Sequence, residues 1–128
     1  MEPLDAKSAF FEFDTLPDPE TFTVKLTDPE KIAHARGLLS GKIGSAPHIS
    51  GIIVKKRVPY NSHWLFHLAP ESINFFEQAT EVCDATIRYV ADHLDEVGGA
   101  FLPKNRWCPW ASRLVREVQP AMEQQAGE

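Results

Sequence analysis

Two histidines four residues apart are the first side chains in this sequence whose spacing could carry chemistry. His63 and His67 lie in a stretch that alternates like a strand, with Trp64, Phe66 and Leu68 on one side. On a strand this spacing separates them by about 13 Å, too far for one metal ion, so we predict no metal site. We take His67 as the candidate catalytic acid/base residue, because a histidine beside a pocket titrates near neutral pH. The alternative is an ordinary core histidine.

Aromatic and basic residues gather in two segments, residues 57–68 and 101–116. We take as candidate ligand contacts Arg57, Tyr60, Asn61 and Trp64 in the first segment, and Trp107, Trp110 and Arg113 in the second. The chain has three tryptophans, and burying each of them requires a partner for its indole N–H. Converging segments would form an aromatic-walled, basic-rimmed pocket suited to a flat or anionic ligand. The alternative is a satellite core that pins the C-terminal segment to the sheet.

The two cysteines, Cys83 and Cys108, lack the CxxC spacing of a redox or zinc site. The N-terminus lacks the basic start and apolar core of a signal peptide. We therefore expect a cytoplasmic protein with two buried free thiols. A disulfide between the two cysteines stays open as the alternative, as does secretion if a leader has been removed.

Hydrophobic periodicity predicts the elements that must position these residues. Residues 21–26 alternate between apolar and polar side chains, as a half-buried strand does. Thr27 and Glu30 form a capping box that predicts the start of a helix, and Gly41 is suited to end it. Further strands are predicted at residues 10–13, 49–54 and 63–68, a long helix at residues 80–97, and a short helix at residues 110–118.

These elements predict an α+β fold built as a two-layer sandwich. About four mostly antiparallel strands and two main helices follow one another in the order ββαββα, with a short C-terminal helix after them. The 128 residues suit a single domain. We place that domain at residues 10–118, with flexible tails at residues 1–9 and 119–128.

Charge is distributed unevenly along the chain, whose net charge is -5. Residues 31–70 and 100–116 contain no aspartate or glutamate. Clustered cations favour an anionic partner, unless folding interleaves them with the acidic stretches. The net charge argues against nucleic acid, and no apolar run is long enough to span a membrane. Because a phosphate-binding glycine loop, HExxH and GxSxG are all absent, we expect no cofactor.

Four short stretches together resemble a known family. They are residues 26–32 (LTDPEKI), residues 60–68 (YNSHWLFHL), residues 81–85 (EVCDA) and residues 107–110 (WCPW). The sequence resembles a family of small stand-alone bacterial proteins, which also occurs as the N-terminal domain of some slime-mould proteins. The resemblance covers the chain from about Phe10 to Glu117 and implies one compact domain. It implies no reaction and no set of catalytic residues.

Three functions follow from these observations. The first is a small soluble binding module that recognises an anionic or aromatic ligand, or a protein partner, through the aromatic and basic surface. The second is a cofactor-independent enzyme of the isomerase or cyclase type, with His67 as acid/base and Tyr60 or Asp84 assisting. The third is a protease-inhibitor-like protein that acts through the loop at Pro59 or Pro103. The oligomeric state is left open.

Overall fold

The computed structural model describes residues 8–78 and 82–119 of the chain. In these residues the elements are β1 (Ala9–Thr15), β2 (Thr21–Leu26), α1 (Pro29–Ser40), β3 (His48–Val54), β4 (His67–Leu68), β5 (Asn74–Phe76), α2 (Ile87–Asp92), β6 (Val97–Gly98), β7 (Phe101–Pro103), β8 (Arg106–Trp107) and β9 (Ser112–Val118). Short 3-10 helices lie at Pro59–Asn61, Pro70–Ser72 and Leu94–Glu96. The fold is α+β, as predicted, but it has more strands than the four expected. Neither α-helix of the described residues is long and apolar enough to cross a membrane.

Strand β1 is the centre of a three-stranded antiparallel sheet, with β2 on one side and β9 on the other. Phe22, Val24 and Leu26 of β2 are buried, whereas the residues between them are half-buried. The predicted alternation of β2 is therefore confirmed. Phe11 and Phe13 of β1 are also fully buried, so two neighbouring strands present one continuous apolar face.

Strand β3 organises a second antiparallel sheet. It pairs with β4 and β5 and, through Gly51 and Ile52, with β8. Phe22 of the first sheet packs against Phe66 and Trp107, with ring centroids 5.0 and 5.5 Å apart. Residues of both sheets and both helices thus contribute to one hydrophobic core.

Helix α1 ends at the predicted glycine, but it begins one residue later than the predicted capping box implies. Asp28, rather than Thr27, is the N-cap, and its side chain accepts from the backbone N–H of Glu30 at 2.9 Å. Gly41 ends the helix with a φ of 85°, a conformation that glycine adopts without steric cost. A side chain at Gly37 would overlap Ile43, which explains a glycine inside a helix.

The predicted helix at residues 80–97 is largely wrong. Helix α2 spans only Ile87–Asp92, and Val97 belongs to a strand. Thr86 caps α2, because its hydroxyl accepts from the N–H of Tyr89, so the residues before it are not helical. Ile87 and Val90 are buried as the apolar stripe predicts, but residues 80 and 81 lie outside the described part of the chain.

The predicted short helix at residues 110–118 is also wrong, since Ser112–Val118 forms β9. This segment pairs with β1 from Phe10 to Thr15, with a register shift between Glu12 and Phe13, and the pairing satisfies backbone groups on both strands. The predicted strand at residues 63–68 shrinks to His67–Leu68, because a turn in which Trp64 N–H donates to Asn61 O precedes it.

The predicted tails fall mostly outside the described residues. Residues 1–7 and 120–128 lie beyond them, while Ala9 already belongs to β1 and is buried. The core shared by both sheets runs from Ala9 to Cys108 among the described residues.

Cys83 and Cys108 form a disulfide, so the expectation of two free thiols is wrong. Both cysteines are buried, and the backbone N–H of Cys108 donates to Cys83 O at 2.7 Å. The bridge spans a sequence separation of 25 residues and ties the segment before α2 to the segment before β9. Sequence spacing alone could not show that these two segments are neighbours.

Removing the bridge should destabilise the fold markedly. We predict that Cys83→Ala with Cys108→Ala lowers the free energy of unfolding by about 3–4 kcal/mol, because the unfolded chain gains loop entropy. Urea unfolding of the oxidised protein, the reduced protein and the double variant measures this loss. An unchanged urea midpoint in reductant, with both thiols shown free by mass spectrometry, would contradict the prediction.

Candidate functional site

Residues 59–66, which we call the ridge, are fixed to strand β2 by a buried asparagine. The side chain of Asn61 accepts from Thr23 N–H at 2.8 Å and donates to Phe66 O at 3.0 Å. Asn61 is 4% exposed, so both hydrogen bonds are largely shielded from water. The predicted ligand contact Asn61 is therefore committed to holding the ridge in place.

Trp64 provides a second attachment between the ridge and β2. Its indole N–H donates to Thr21 O at 2.8 Å, and the residue is buried. The Arg88 guanidinium lies 5.2 Å from the Trp64 ring centroid, within the range of a cation–π contact. Trp64 is thus an anchored wall rather than a mobile contact residue.

A small depression, which we call the aromatic cleft, lies between the ridge and α2. Its lining residues are His63, Trp64, Leu65, Phe66, Arg88, Ala91, Asp92 and Leu94, and its volume is about 180 Å³. Leu65 is 60% exposed at its margin, although it is a large apolar residue. Trp64 and Phe66 line the ridge side of the cleft, and the aliphatic carbons of Ala91 and Leu94 line the other. The volume is below the roughly 300–1,000 Å³ usual for small-molecule sites, so the cleft suits one flat, apolar group of a ligand.

The charge of Arg88 in the aromatic cleft is already balanced. Its guanidinium contacts Glu20 at 2.6 Å and Asp92 at 4.0 Å. The hydrogen bond from Arg88 lowers the pKa of Glu20, and the same bond raises the pKa of Arg88. Both groups are charged near neutral pH, so this wall carries an ion pair rather than an uncompensated cation.

A second depression, the polar groove, lies on the other side of the ridge. It is shallow, has a volume of about 430 Å³, and is lined by Glu12, Pro19, Glu20, Thr21, Thr23, Tyr60, Asn61, Ser62 and His63. Glu12 is held by an ion pair with Arg116, and Glu20 by the pair described above. His63 lines both depressions, so it stands on the crest of the ridge.

The second aromatic segment does not line either depression. Trp107 is fully buried, and its indole N–H donates to Ala85 O at 2.9 Å. It meets Phe66 of the ridge inside the core, with ring centroids 5.9 Å apart. Trp110 is 39% exposed and packs near Phe76 instead. Trp107 and Phe66 therefore meet within the main core that both sheets share, whereas Trp110 lies at the surface.

Several cations of the acid-free stretches meet acids from elsewhere in the chain. Arg113 pairs with Asp14 at 3.1 Å, because β9 lies beside β1. Arg36 likewise contacts Glu117 at 2.8 Å, and that hydrogen bond raises the pKa of Arg36. Folding therefore interleaves the charges at these positions. The predicted contact Arg57 is exposed, beyond the end of β3.

His67 is held within the protein and lines neither depression, although its ring contacts Tyr60 of the polar groove. It is 9% exposed, and its Nδ1 lies 2.7 Å from Lys56 O. Tyr60 packs against it edge-on, with ring centroids 6.4 Å apart. Asp84, the other proposed assistant, accepts from the backbone N–H of Trp110 at 2.7 Å. Among the described residues, no group of three or more His, Cys, Asp or Glu side chains could hold a metal ion.

Of the residues that line the aromatic cleft, the sequence predicted only Trp64 as a contact and missed the others, among them His63, Leu65 and Arg88. Spacing indicates His63 only as a possible metal ligand, and alternation indicates Leu65 only as one side of a strand. Helical periodicity places Arg88 on the wet face of a longer helix. The proline at position 59 is the signal that could have identified Leu65. It favours a turn, and a turn here would expose Leu65.

Changing Asn61 should loosen the ridge. We predict that Asn61→Ala lowers the free energy of unfolding by about 1–3 kcal/mol, because two buried backbone groups lose their partner. Urea unfolding measures the loss, and Ser62→Ala, an exposed neighbour, is the matched control. Equal stability of Asn61→Ala and the control would contradict the structural role of the bridge.

Among known proteins, no curated protein and no solved structure matches this chain. A family model does match it, over residues 7–121, and this range includes the ridge, both depressions and the disulfide. The family is described as the BP-74 N-terminal domain. Because the match covers most of the chain, the chain belongs to this BP-74 N-terminal domain family.

Proposed function

We propose that this protein is a binding module and that the aromatic cleft receives a flat aromatic group of its ligand. The supporting observation is an exposed leucine beside a buried tryptophan on an anchored ridge. Leu65 is 60% exposed, while the neighbouring Trp64 is only 4% exposed and its ring makes a cation–π contact with Arg88. Aromatic residues and arginines of this kind dominate the energetics of many binding surfaces.

The balanced charges favour an aromatic ligand over an anionic one. Arg88 contacts Glu20 and lies near Asp92, so the cleft offers little net positive charge to an anion. An incoming anion would also meet the Asp92 carboxylate, which lines the cleft, and that contact costs free energy. A neutral ring, by contrast, gains from removing the apolar walls from water.

The anchored ridge supports binding for an energetic reason. Binding to a mobile loop costs free energy for ordering its side chains, roughly 0.5–1.5 kcal/mol for each rotamer-rich one. The ridge is already ordered by the hydrogen bonds of Asn61 and Trp64 to β2. Most of this cost is therefore met in the free protein.

The two alternative functions have less support. His67 lines neither depression, so a substrate bound at the ridge would not reach its ring. The Pro103 loop bends sharply, because Leu102, Lys104 and Asn105 all have positive φ angles. A peptide that pairs with a sheet edge in a partner's cleft must be extended, which argues against a substrate-like inhibitory loop at this position.

The disulfide supports action in an oxidising compartment. Bridges between buried cysteines persist in extracellular and periplasmic proteins and are rare in the cytosol. The Cys83–Cys108 bridge therefore favours the secreted alternative over the cytoplasmic one. Purification under alkylating conditions from its native source would reveal whether the bridge exists there.

Occupancy of the aromatic cleft should be visible at one tryptophan. In a titration with indole or p-cresol, we predict that the indole N–H signal of Trp64 shifts, because its ring forms a wall of the cleft. Signals of Trp107 and Trp110 should stay in place. Nuclear magnetic resonance of the labelled protein measures all three, assigned with single tryptophan-to-phenylalanine variants.

Leu65→Ser should weaken the binding of indole or p-cresol about tenfold. The reason is that the ligand no longer removes an apolar side chain from water at this contact. Leu16→Ser is the matched control, because Leu16 is 49% exposed and lines neither depression. A shift confined to Trp110, or equal affinities of the two variants, would refute the proposal.

A further inference from the structure

We infer that the polar groove is a second, separate site that binds an uncharged sugar. This inference does not depend on the aromatic cleft being occupied, since the two depressions share only His63 among their lining residues. It follows from the groove's lining, which combines one aromatic ring, several hydroxyl groups and two carboxylates. A sugar ring presents the complementary groups, namely a face of C–H bonds and a rim of hydroxyls.

Tyr60 supplies the aromatic wall of the polar groove. Its ring is half-buried and is held by Phe10 at 5.3 Å and by the edge of His67 at 6.4 Å. Because the ring is supported from within the protein, its position does not have to be fixed when a ligand arrives. An aromatic ring has only two χ angles, so it provides contact area at low entropic cost.

Thr21 and Thr23 supply hydroxyl groups along the floor. They lie on the half-buried side of β2, and alternate residues of an antiparallel strand are separated by about 7 Å. Two hydroxyls at this separation can contact hydroxyls on different carbons of one sugar ring. Each threonine hydroxyl both donates and accepts, which suits a partner that also does both. Ser62 adds an exposed hydroxyl at the rim.

Glu12 and Glu20 supply acceptors at the margins. Each carboxylate is paired with an arginine, Glu12 with Arg116 and Glu20 with Arg88. The Arg88 hydrogen bond lowers the pKa of Glu20, so this carboxylate stays ionised. An ionised carboxylate is an acceptor only, and it can take hydrogen bonds from two neighbouring hydroxyls of a sugar.

The same carboxylates select against acidic sugars and phosphates. Glu12 and Glu20 already occupy Arg116 and Arg88, so neither of these arginines is left to attract an acidic sugar or a phosphate. The volume of about 430 Å³ lies within the usual range for small-molecule sites, roughly 300–1,000 Å³. The lining is too polar to favour a lipid or an aliphatic ligand.

A glycan array that carries neutral and acidic glycans tests this inference. We expect the protein to retain neutral glycans and to release those whose only sugars are uronic or sialic acids. The strongest neutral glycan is then titrated in solution against the wild-type protein and its variants. Leu65→Ser should bind it as the wild-type protein does, which separates this test from that of the aromatic cleft.

Thr23→Val is the informative variant, because valine keeps the shape and strand propensity of threonine while removing its hydroxyl. We expect its affinity for the neutral glycan to fall about tenfold, as for one lost hydrogen bond. Thr27→Val, an exposed threonine outside the groove, is the matched control and should bind normally. Tyr60→Ala should lose binding while Tyr60→Phe keeps it in part.

Three results would overturn the inference. The first is an array on which no neutral glycan is retained, and the second is one on which only acidic glycans are retained. The third is an unchanged affinity of Thr23→Val for a retained glycan. If Tyr60→Ala fails to fold, the Thr23→Val and Thr27→Val pair still decides the question.

Discussion

The hydrogen bonds of the Asn61 side chain are the interaction on which both depressions depend. They join the backbone N–H of Thr23, on β2, to the carbonyl of Phe66, at the far end of the ridge. An unpaired buried backbone group costs about 1–3 kcal/mol. The ridge forms no strand pairing that would satisfy these two backbone groups, so the Asn61 side-chain amide bonds to them instead. Trp64 can then lie over β2, and Leu65 is left facing water.

This arrangement gives the two sides of the ridge different chemistry. The side toward α2 is apolar because Trp64, Leu65 and Phe66 meet the helix there, and its single cation is paired with acids. The side toward β2 is polar because the strand turns its threonines outward. His63 on the crest contacts both surfaces. One short segment therefore presents two unlike surfaces.

Local sequence signals correctly predicted the elements that are determined by interactions between residues close in sequence. The alternation of β2 and the glycine end of α1 were correct because side-chain burial and left-handed backbone depend on neighbouring residues. The predicted length of α2 was wrong. The apolar spacing of residues 80–97 fits a long helix, but Thr86 is the N-cap, so the helix begins later in the chain than predicted. The prediction of a helix at β9 was wrong because the pairing of β9 with β1 joins residues far apart in sequence.

The candidate site was only partly predictable for the same reason. The ridge segment was identified from its tyrosine, asparagine and tryptophan, and two of these three residues proved to be anchors. Arg113 pairs with Asp14, and Trp107 is buried in the core. Neither arrangement can be predicted from the sequence without knowing the strand order. The same holds for the Cys83–Cys108 bridge, whose partners are adjacent only in the folded chain.

The central claim is that the ridge is the binding element of this domain. Soaking crystals of the protein with a library of small aromatic and sugar fragments tests it most directly, because every surface competes for the same molecules. We expect aromatic fragments between Leu65 and Arg88, and sugar fragments over Thr21, Thr23 and Tyr60. Fragments that instead collect around Trp110 and Phe76, with both sides of the ridge empty, would contradict it.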